Sequence, residues 1–141
     1  AQLPGGGWAL SGEEAEIDLT SMALQALANY RDREDVAQAI DKALVILSQR
    51  QNDRGGYTAY NVDSCETVSQ TIIALATLGI PMDDPRFVKD GKTLQDALLA
   101  FRQADGGFAH LLDGKTDRLA TEQALLALTA LATDAPLYKI R

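Results

Sequence analysis

The sequence predicts an all-α domain, and three observations carry that expectation. Ala supplies 22 of the 141 positions and Leu 20, whereas Pro occurs only 4 times. Strong helix formers therefore dominate, and the chief helix breaker is scarce. Apolar residues also recur at helical spacing in several stretches. Finally, a Gly-Gly-aromatic motif returns about every fifty residues, a period that marks stacked supersecondary repeats.

The motif reads Gln-Leu-Pro-Gly-Gly-Gly-Trp at 2–8 and Gln-Asn-Asp-Arg-Gly-Gly-Tyr at 51–57. At 103–108 it is one residue shorter, Gln-Ala-Asp-Gly-Gly-Phe. Gly6, Gly7 and Trp8, Gly55, Gly56 and Tyr57, and Gly106, Gly107 and Phe108 are therefore read as structural turns. Paired glycines permit positive φ in a tight reversal, and the aromatic packs beneath it. The leading glutamine is expected to donate to carbonyls that a helix end leaves unpaired.

Each motif is followed by a polar stretch and an Ala/Leu-rich segment, giving helices near 18–30, 64–78 and 117–132. The second and third are apolar or small nearly all round, as in a helix covered on most sides. Between motifs lie amphipathic helices. In 34–50, Val36, Ile40, Ala43, Leu44 and Leu47 share a face, with Asp35, Asp41, Lys42 and Gln49 elsewhere. Leu94, Ala97, Leu98 and Phe101 mark a shorter one over 93–103. Gly79, with Pro81 soon after, ends the 64–78 helix as a C-cap. Inner helices thus alternate with outer ones, all three turns lie at one end, and the inner N-termini converge on one rim.

Apolar residues at 46% and charged residues at 23% suit one core-forming domain spanning 1–141. A net charge of −7 with no basic stripe argues against nucleic acid as a partner. The longest apolar runs, 43–47 and 71–80, fall far short of the ~20 residues of a membrane span. Cys65 and His110 are the sole residues of their types. An intrachain disulfide is therefore impossible, and a Cys/His metal site would have two such ligands at most. No signal-peptide pattern opens the residues given.

Gln-x-x-x-Gly-x-aromatic, intact at 2–8 and 51–57, resembles the repeat of squalene/hopene cyclases. The wider group is the α/α-toroid clan of prenyltransferases, terpenoid cyclases, complement-type thioester domains and cobalamin carriers. The stretches 18–30, 84–91 and 120–128 resemble the surface-protein branch of that clan: prenyltransferase/squalene-oxidase-repeat domains of secreted and cell-wall proteins of Gram-positive bacteria. The resemblance implies a partial α/α toroid, an extracellular or cell-wall location and no settled activity. A closed toroid of the clan has six helix pairs, roughly 300 residues at this period. Three repeats starting near 2, 51 and 103 then correspond to its C-terminal part, with Leu137-Tyr138 resembling the last turn. Exposed helix flanks call for a partner, either the missing half or a second copy of this chain.

Cyclases of the protonating class carry Asp-x-Asp-Asp-Thr at an inner-helix start. Here that place reads Asp63-Ser64-Cys65-Glu66-Thr67, and the first repeat keeps only Asp18. Without paired carboxylates a strong acid has no obvious donor. Asp63 with Glu66 three residues on instead resembles a capping box. The prenyltransferase zinc set and the thioester Cys-Gly-Glu-Gln are likewise incomplete, so no catalytic residue, metal or cofactor is assigned. Cys65 at a helix start could have a lowered pKa, with His110 at the same rim, but packing and solvation are the plainer readings.

Carboxylates gather before or in the first turn of the inner helices: Glu13, Glu14, Glu16, Asp18, Asp63, Glu66, Asp113, Asp117 and Glu122, facing Lys115 and Arg118. They fit a cation or basic partner, or simple complementation of helix dipoles. Polar positions on inner helices, Gln25, Ser69, Gln70, Glu122 and Gln123, face either a ligand or one another. The candidate binding set is Asp18, Met22, Asp63, Cys65, Glu66, Gln70, His110, Glu122 and Gln123. The leading expectation is a non-catalytic binding or scaffold module. An enzyme remnant and a ligand-free spacer are the alternatives.

Overall fold

The computed structural model describes residues 1–59 and 61–133, so the Leu137-Tyr138 tail lies outside the described residues. The helices are α1 (Ile17–Leu27), α2 (Glu34–Arg50), α3 (Cys65–Leu78), α4 (Leu94–Leu99) and α5 (Arg118–Thr133). Short 3-10 turns at Ala28–Tyr30 and Pro85–Phe87 follow α1 and precede α4. The chain is mostly helical but not purely so. Two-residue antiparallel hairpins, β1 (Thr58–Ala59) with β2 (Val62–Asp63) and β3 (Phe108–Ala109) with β4 (Thr116–Asp117), lead into α3 and α5. The polar stretches there are cross-linked by side chains: Thr58 Oγ1 donates to Asp63 (2.6 Å) and Thr116 Oγ1 to Asp105 (2.7 Å).

α3 packs between α1 and α5, while α2 lies against α1 and α4 against α3. Bonds across this row join similar levels of each helix. Ser21 meets Thr71 (3.0 Å) and Gln25 meets Gln70 (2.9 Å) between α1 and α3. Gln70 meets Gln123 (3.1 Å) between α3 and α5. The three inner helices therefore run parallel, with their N-termini at one end. The core sits around α3, where Val68, Ile72, Ile73, Ala74 and Leu75 are sealed from solvent. Onto it the outer helices turn their apolar faces: Ile40, Ala43, Leu44 and Leu47 from α2, and Leu94, Ala97 and Leu98 from α4. Such burial contributes roughly 1.5–3 kcal/mol per large apolar side chain. α4 is shorter than the 93–103 expected. A Thr93–Asp96 capping box fixes its start, and the chain leaves it after Ala100 to begin the third turn.

That turn corrects the repeat alignment. The amide of Leu3 donates to the Gly7 carbonyl (3.0 Å), Asn52 to Gly56 (2.9 Å) and Gln103 to Gly107 (2.8 Å). The amides of Gly6, Gly55 and Gly106 close the other side on Leu3, Asn52 and Gln103. Gln103 is thus equivalent to Asn52, and Arg102, bridged to Phe108 as Gln51 is to Tyr57, occupies the glutamine position. The three turns have equal length, and the glutamine is displaced rather than the loop shortened.

The glutamines act differently from one another. Buried Gln51 donates to the carbonyls of Gly55 (2.8 Å) and Phe87 (2.9 Å), and Gln103 to that of Phe101 (3.1 Å). Gln2 reaches Ala39 inside α2 (2.7 Å) rather than a helix end.

The glycine pairs are also less alike than expected. Gly6, Gly55 and Gly106 all have φ between 81° and 100°, but of the second glycines only Gly7 is positive. Gly56 and Gly107 sit where space is short: a Cβ at Gly56 would lie a tight 3.3 Å from Val68 Cγ2, and one at Gly107 would collide with Thr116. Of the aromatics, Tyr57 and Phe108 are buried, whereas Trp8 is only partly covered.

Candidate functional site

The start of α3 is capped one residue later than the sequence suggested. Ser64, not Asp63, caps α3, accepting from the Thr67 amide (3.3 Å). Its equivalent Asp117 accepts from the Ala120 amide (2.9 Å) at α5. Asp63 points back into the Gly-Gly turn. There it accepts from Nη2 (2.6 Å) and Nε (3.0 Å) of Arg54 and from the side-chain Nδ2 of Asn52 (3.2 Å). An extended strand residue just before the helix aims its side chain to the opposite side from its neighbour, which separates the roles of Asp63 and Ser64.

Cys65 and His110 do meet at the rim, but through the backbone: the Cys65 amide donates to the His110 carbonyl (3.0 Å). The thiol is buried, 3.8 Å from the Ala120 carbonyl and 4.0 Å from Ser69 Oγ. Burial pushes its pKa up to about 12, opposite to the lowering that the helix start suggested; Ser69 offsets this slightly, and Glu66 and Asp117 add to it. The His110 ring instead meets Glu66, Nδ1 to Oε2 at 2.7 Å, with the imidazole open to solvent. No group of three His, Cys, Asp or Glu with metal-binding geometry occurs among the described residues.

Beside this pair, the segment from Ser11 to Asp18 faces the first hairpin across a cavity of about 420 Å³. Glu13, Glu14, Glu16 and Asp18 line it, with Arg50, Thr58 and Thr67 opposite. Arg50 is drawn aside, its Nη1 donating to the Ala15 carbonyl at 2.6 Å. Asp18 is crowded although its outer edge is open. Burial raises its pKa, the Thr67 hydroxyl pulls it partly back, and the Glu66 and Glu16 carboxylates raise it further. This corner of the rim holds negative charge without a matching contact cation on Asp18, a setting that favours an incoming cationic group.

The amides of Gln25, Gln70 and Gln123 form a chain across all three inner helices. Gln25 Nε2 donates to Oε1 of Gln70 (2.9 Å), and Gln70 Nε2 donates to Oε1 of Gln123 (3.1 Å). These positions thus satisfy one another, as buried polar groups should.

Of the expected binding set, Asp18 and Glu66 share the rim with His110, while Asp63 and Cys65 are committed to the turn and the core. Gln70 and Gln123 belong to the amide chain. Met22 lies on the open side of α1 and Glu122 on the open side of α5, both away from the rim cavity. Two functional side chains escaped the sequence reading. Thr20 and Thr121 each accept from the amide of the turn aromatic, Trp8 (3.0 Å) and Phe108 (2.9 Å), tying turn to inner helix. Their shared place, fourth in α1 and α5, was the available signal; α3 has the near-isosteric Val68 there. Comparison with protein-family models, with curated proteins and with solved structures gives no match.

Proposed function

We propose that this chain is a non-catalytic binding or scaffold module, a partial α/α toroid whose ligand site is the inner-helix N-terminal rim. The observation that carries the reading is the cavity between the 11–18 segment and the first hairpin, with Asp18 crowded by Glu16 and Glu66. A small cation or a basic group on a partner is the chemistry it suits. The location in a secreted or cell-wall protein of a Gram-positive bacterium rests on the sequence resemblance alone. So does the expectation that further repeats, or a second copy, cover the flanks.

An enzyme remnant is less well supported: Asp63 is held by Arg54, and the buried Cys65 thiol has a raised pKa. A ligand-free spacer draws support from the Gln25–Gln70–Gln123 chain, which consumes the polar groups that would otherwise face a ligand.

Thermal unfolding in calcium chloride and, separately, in spermidine tests the rim. The expected result is a rise in melting temperature with at least one cation that Asp18→Asn diminishes. No rise with either, or a rise indifferent to Asp18→Asn, would remove the rim as the site.

A further inference from the structure

The rim cavity is the open counterpart of a junction that is closed one repeat later. The inner helices correspond from their first residues, Ile17, Cys65 and Arg118. The hairpins correspond from the turn aromatics, so that Ala59 in the first matches His110 beside the second. Between the second and third repeats, backbone meets backbone. The Cys65 amide donates to the His110 carbonyl (3.0 Å), and Leu111 bridges Ser64 in antiparallel register. An extended segment, 109–111, thus lies along the start of α3 and fills that junction.

Between the first and second repeats the matching residues stand apart. No hydrogen bond joins Ile17 to Ala59, and both line the cavity of about 420 Å³ instead. The Ile17 amide finds no acceptor among the described residues, although the residue is only 5% exposed. A backbone donor on so covered a residue calls for a partner. The volume lies in the range of built ligand pockets, roughly 300–1,000 Å³.

Charge says what kind of partner fits. Glu13, Glu14 and Asp18 are exposed along the gap, and Glu16 is half-buried beside them. The cation lining it, Arg50, is drawn onto the Ala15 carbonyl. These carboxylates do not converge: no three acidic, His or Cys groups have metal-binding geometry among the described residues. Negative charge spread along a gap suits basic side chains spaced along a chain better than a single ion.

Resting on the rim reading above and narrowing it, we infer that the gap between the first two repeats is a slot for an extended peptide segment carrying Lys or Arg. The segment takes the place that 109–111 takes at the next junction. One of its carbonyls accepts from the Ile17 amide, and its backbone runs beside Thr58–Ala59. Alternate side chains of an extended chain point the same way, so basic residues two apart come over Glu13, Glu14 and Asp18. Main-chain bonding holds the segment and the carboxylates select it, as in binding by strand addition.

The probe is the acetylated and amidated peptide Val-Lys-Val-Lys-Val, titrated into the full chain and followed by amide NMR. Without peptide, the Ile17 amide should exchange its hydrogen faster than its bonded equivalent, Cys65. The peptide should shift the Ile17 and Ala59 signals and slow exchange at Ile17. Val-Glu-Val-Glu-Val should bind about tenfold more weakly, and Asp18→Asn should weaken the lysine peptide by about two- to fivefold. Ala59→Tyr, which fills the gap, should abolish protection of Ile17. A melting curve shows whether that variant is folded, and the peptide pair and Asp18→Asn test the slot without it.

Spermidine separates the slot from the acidic site itself, because it brings positive charge but no carbonyl for Ile17. It should bind without slowing exchange at Ile17. If spermidine binds and the lysine peptide leaves Ile17 unprotected, the slot is overturned while the cationic rim stands. Equal binding of the lysine and glutamate peptides also overturns the slot. No response to either probe overturns both.

Discussion

Alanine substitutions at Gly55, Gly106 and Gly79 separate two costs that a turn glycine can conceal. All three residues have positive φ, 81°, 89° and 72°, where a side chain costs about 1–2 kcal/mol. At Gly79 and Gly106 an added Cβ meets nothing within 4 Å, so that conformational cost is the whole effect. At Gly55 the same Cβ would collide with the Thr93 carbonyl. Thr93 is the residue that caps α4 through its box with Asp96, at 2.9 Å and 3.1 Å. Moving it puts at risk a cap worth about 1 kcal/mol in addition to the contact itself.

Gly55→Ala should therefore destabilise by roughly 3 kcal/mol, and Gly106→Ala and Gly79→Ala by about 1–2 kcal/mol each. Urea denaturation followed by far-UV circular dichroism measures all three, with equal slopes confirming that only stability changed. Equal costs at Gly55 and Gly106 would show that the second turn does not bear on the start of α4, and the stacking of turn on outer helix would be wrong.

Other consequences follow from the rim and the core. Asp18 has a folded-state pKa above its unfolded value, so its ionisation opposes folding once pH exceeds the unfolded pKa, in full above the folded one. Asp18→Asn should accordingly stabilise at pH 7, and the gain should shrink as pH falls through the folded pKa and vanish below ~3; a constant gain in melting temperature would contradict the assignment. The buried Tyr57 hydroxyl has no hydrogen bond of good geometry among the described residues, the nearby Thr71 hydroxyl bonding Ser21 and the Thr67 carbonyl instead, so Tyr57→Phe should be neutral or stabilising by up to about 1 kcal/mol in urea; a clear loss would reveal a bond to Thr71. Cys65, buried with its pKa near 12, should resist a thiol reagent in the native state and react on unfolding; rapid native labelling would reopen the thiolate reading. Gln70→Ala should cost about 1 kcal/mol by removing the bonds to Gln25 and Gln123, Gln25 keeping only its bond to the residue 70 carbonyl; an unchanged midpoint would mean that water replaces the chain without loss.

The helices were legible because burial here follows period 3.6. The face named for 34–50 is the one α2 buries, and Gly79 caps α3 with φ 72°. The hairpins were not, since two-residue strands carry no alternation to read; backbone pairing defines them, with a Thr58–Asp63 bond across the first and a Thr116–Asp105 bond tying the second to its Gly-Gly turn. Gln103 misled the alignment because its identity, not its position, matched Gln51. Asp63 looked like a cap because it lies one residue before one that is, and in extended backbone that single step sends the side chain elsewhere. Of the candidate site, the shared rim of Asp18, Glu66 and His110 could be read from the repeat. The disposal of Cys65, Gln70 and Gln123 could not, because which neighbour a polar side chain finds depends on the register between helices.

Native-state hydrogen exchange tests the stack most directly. Because α3 is packed between two inner helices while α1 and α5 each have one such neighbour among the described residues, the slowest amides should lie in α3, with α1 and α5 opening at lower free energy. Protection spread evenly over the three helices, or greatest in α1, would contradict a row centred on α3.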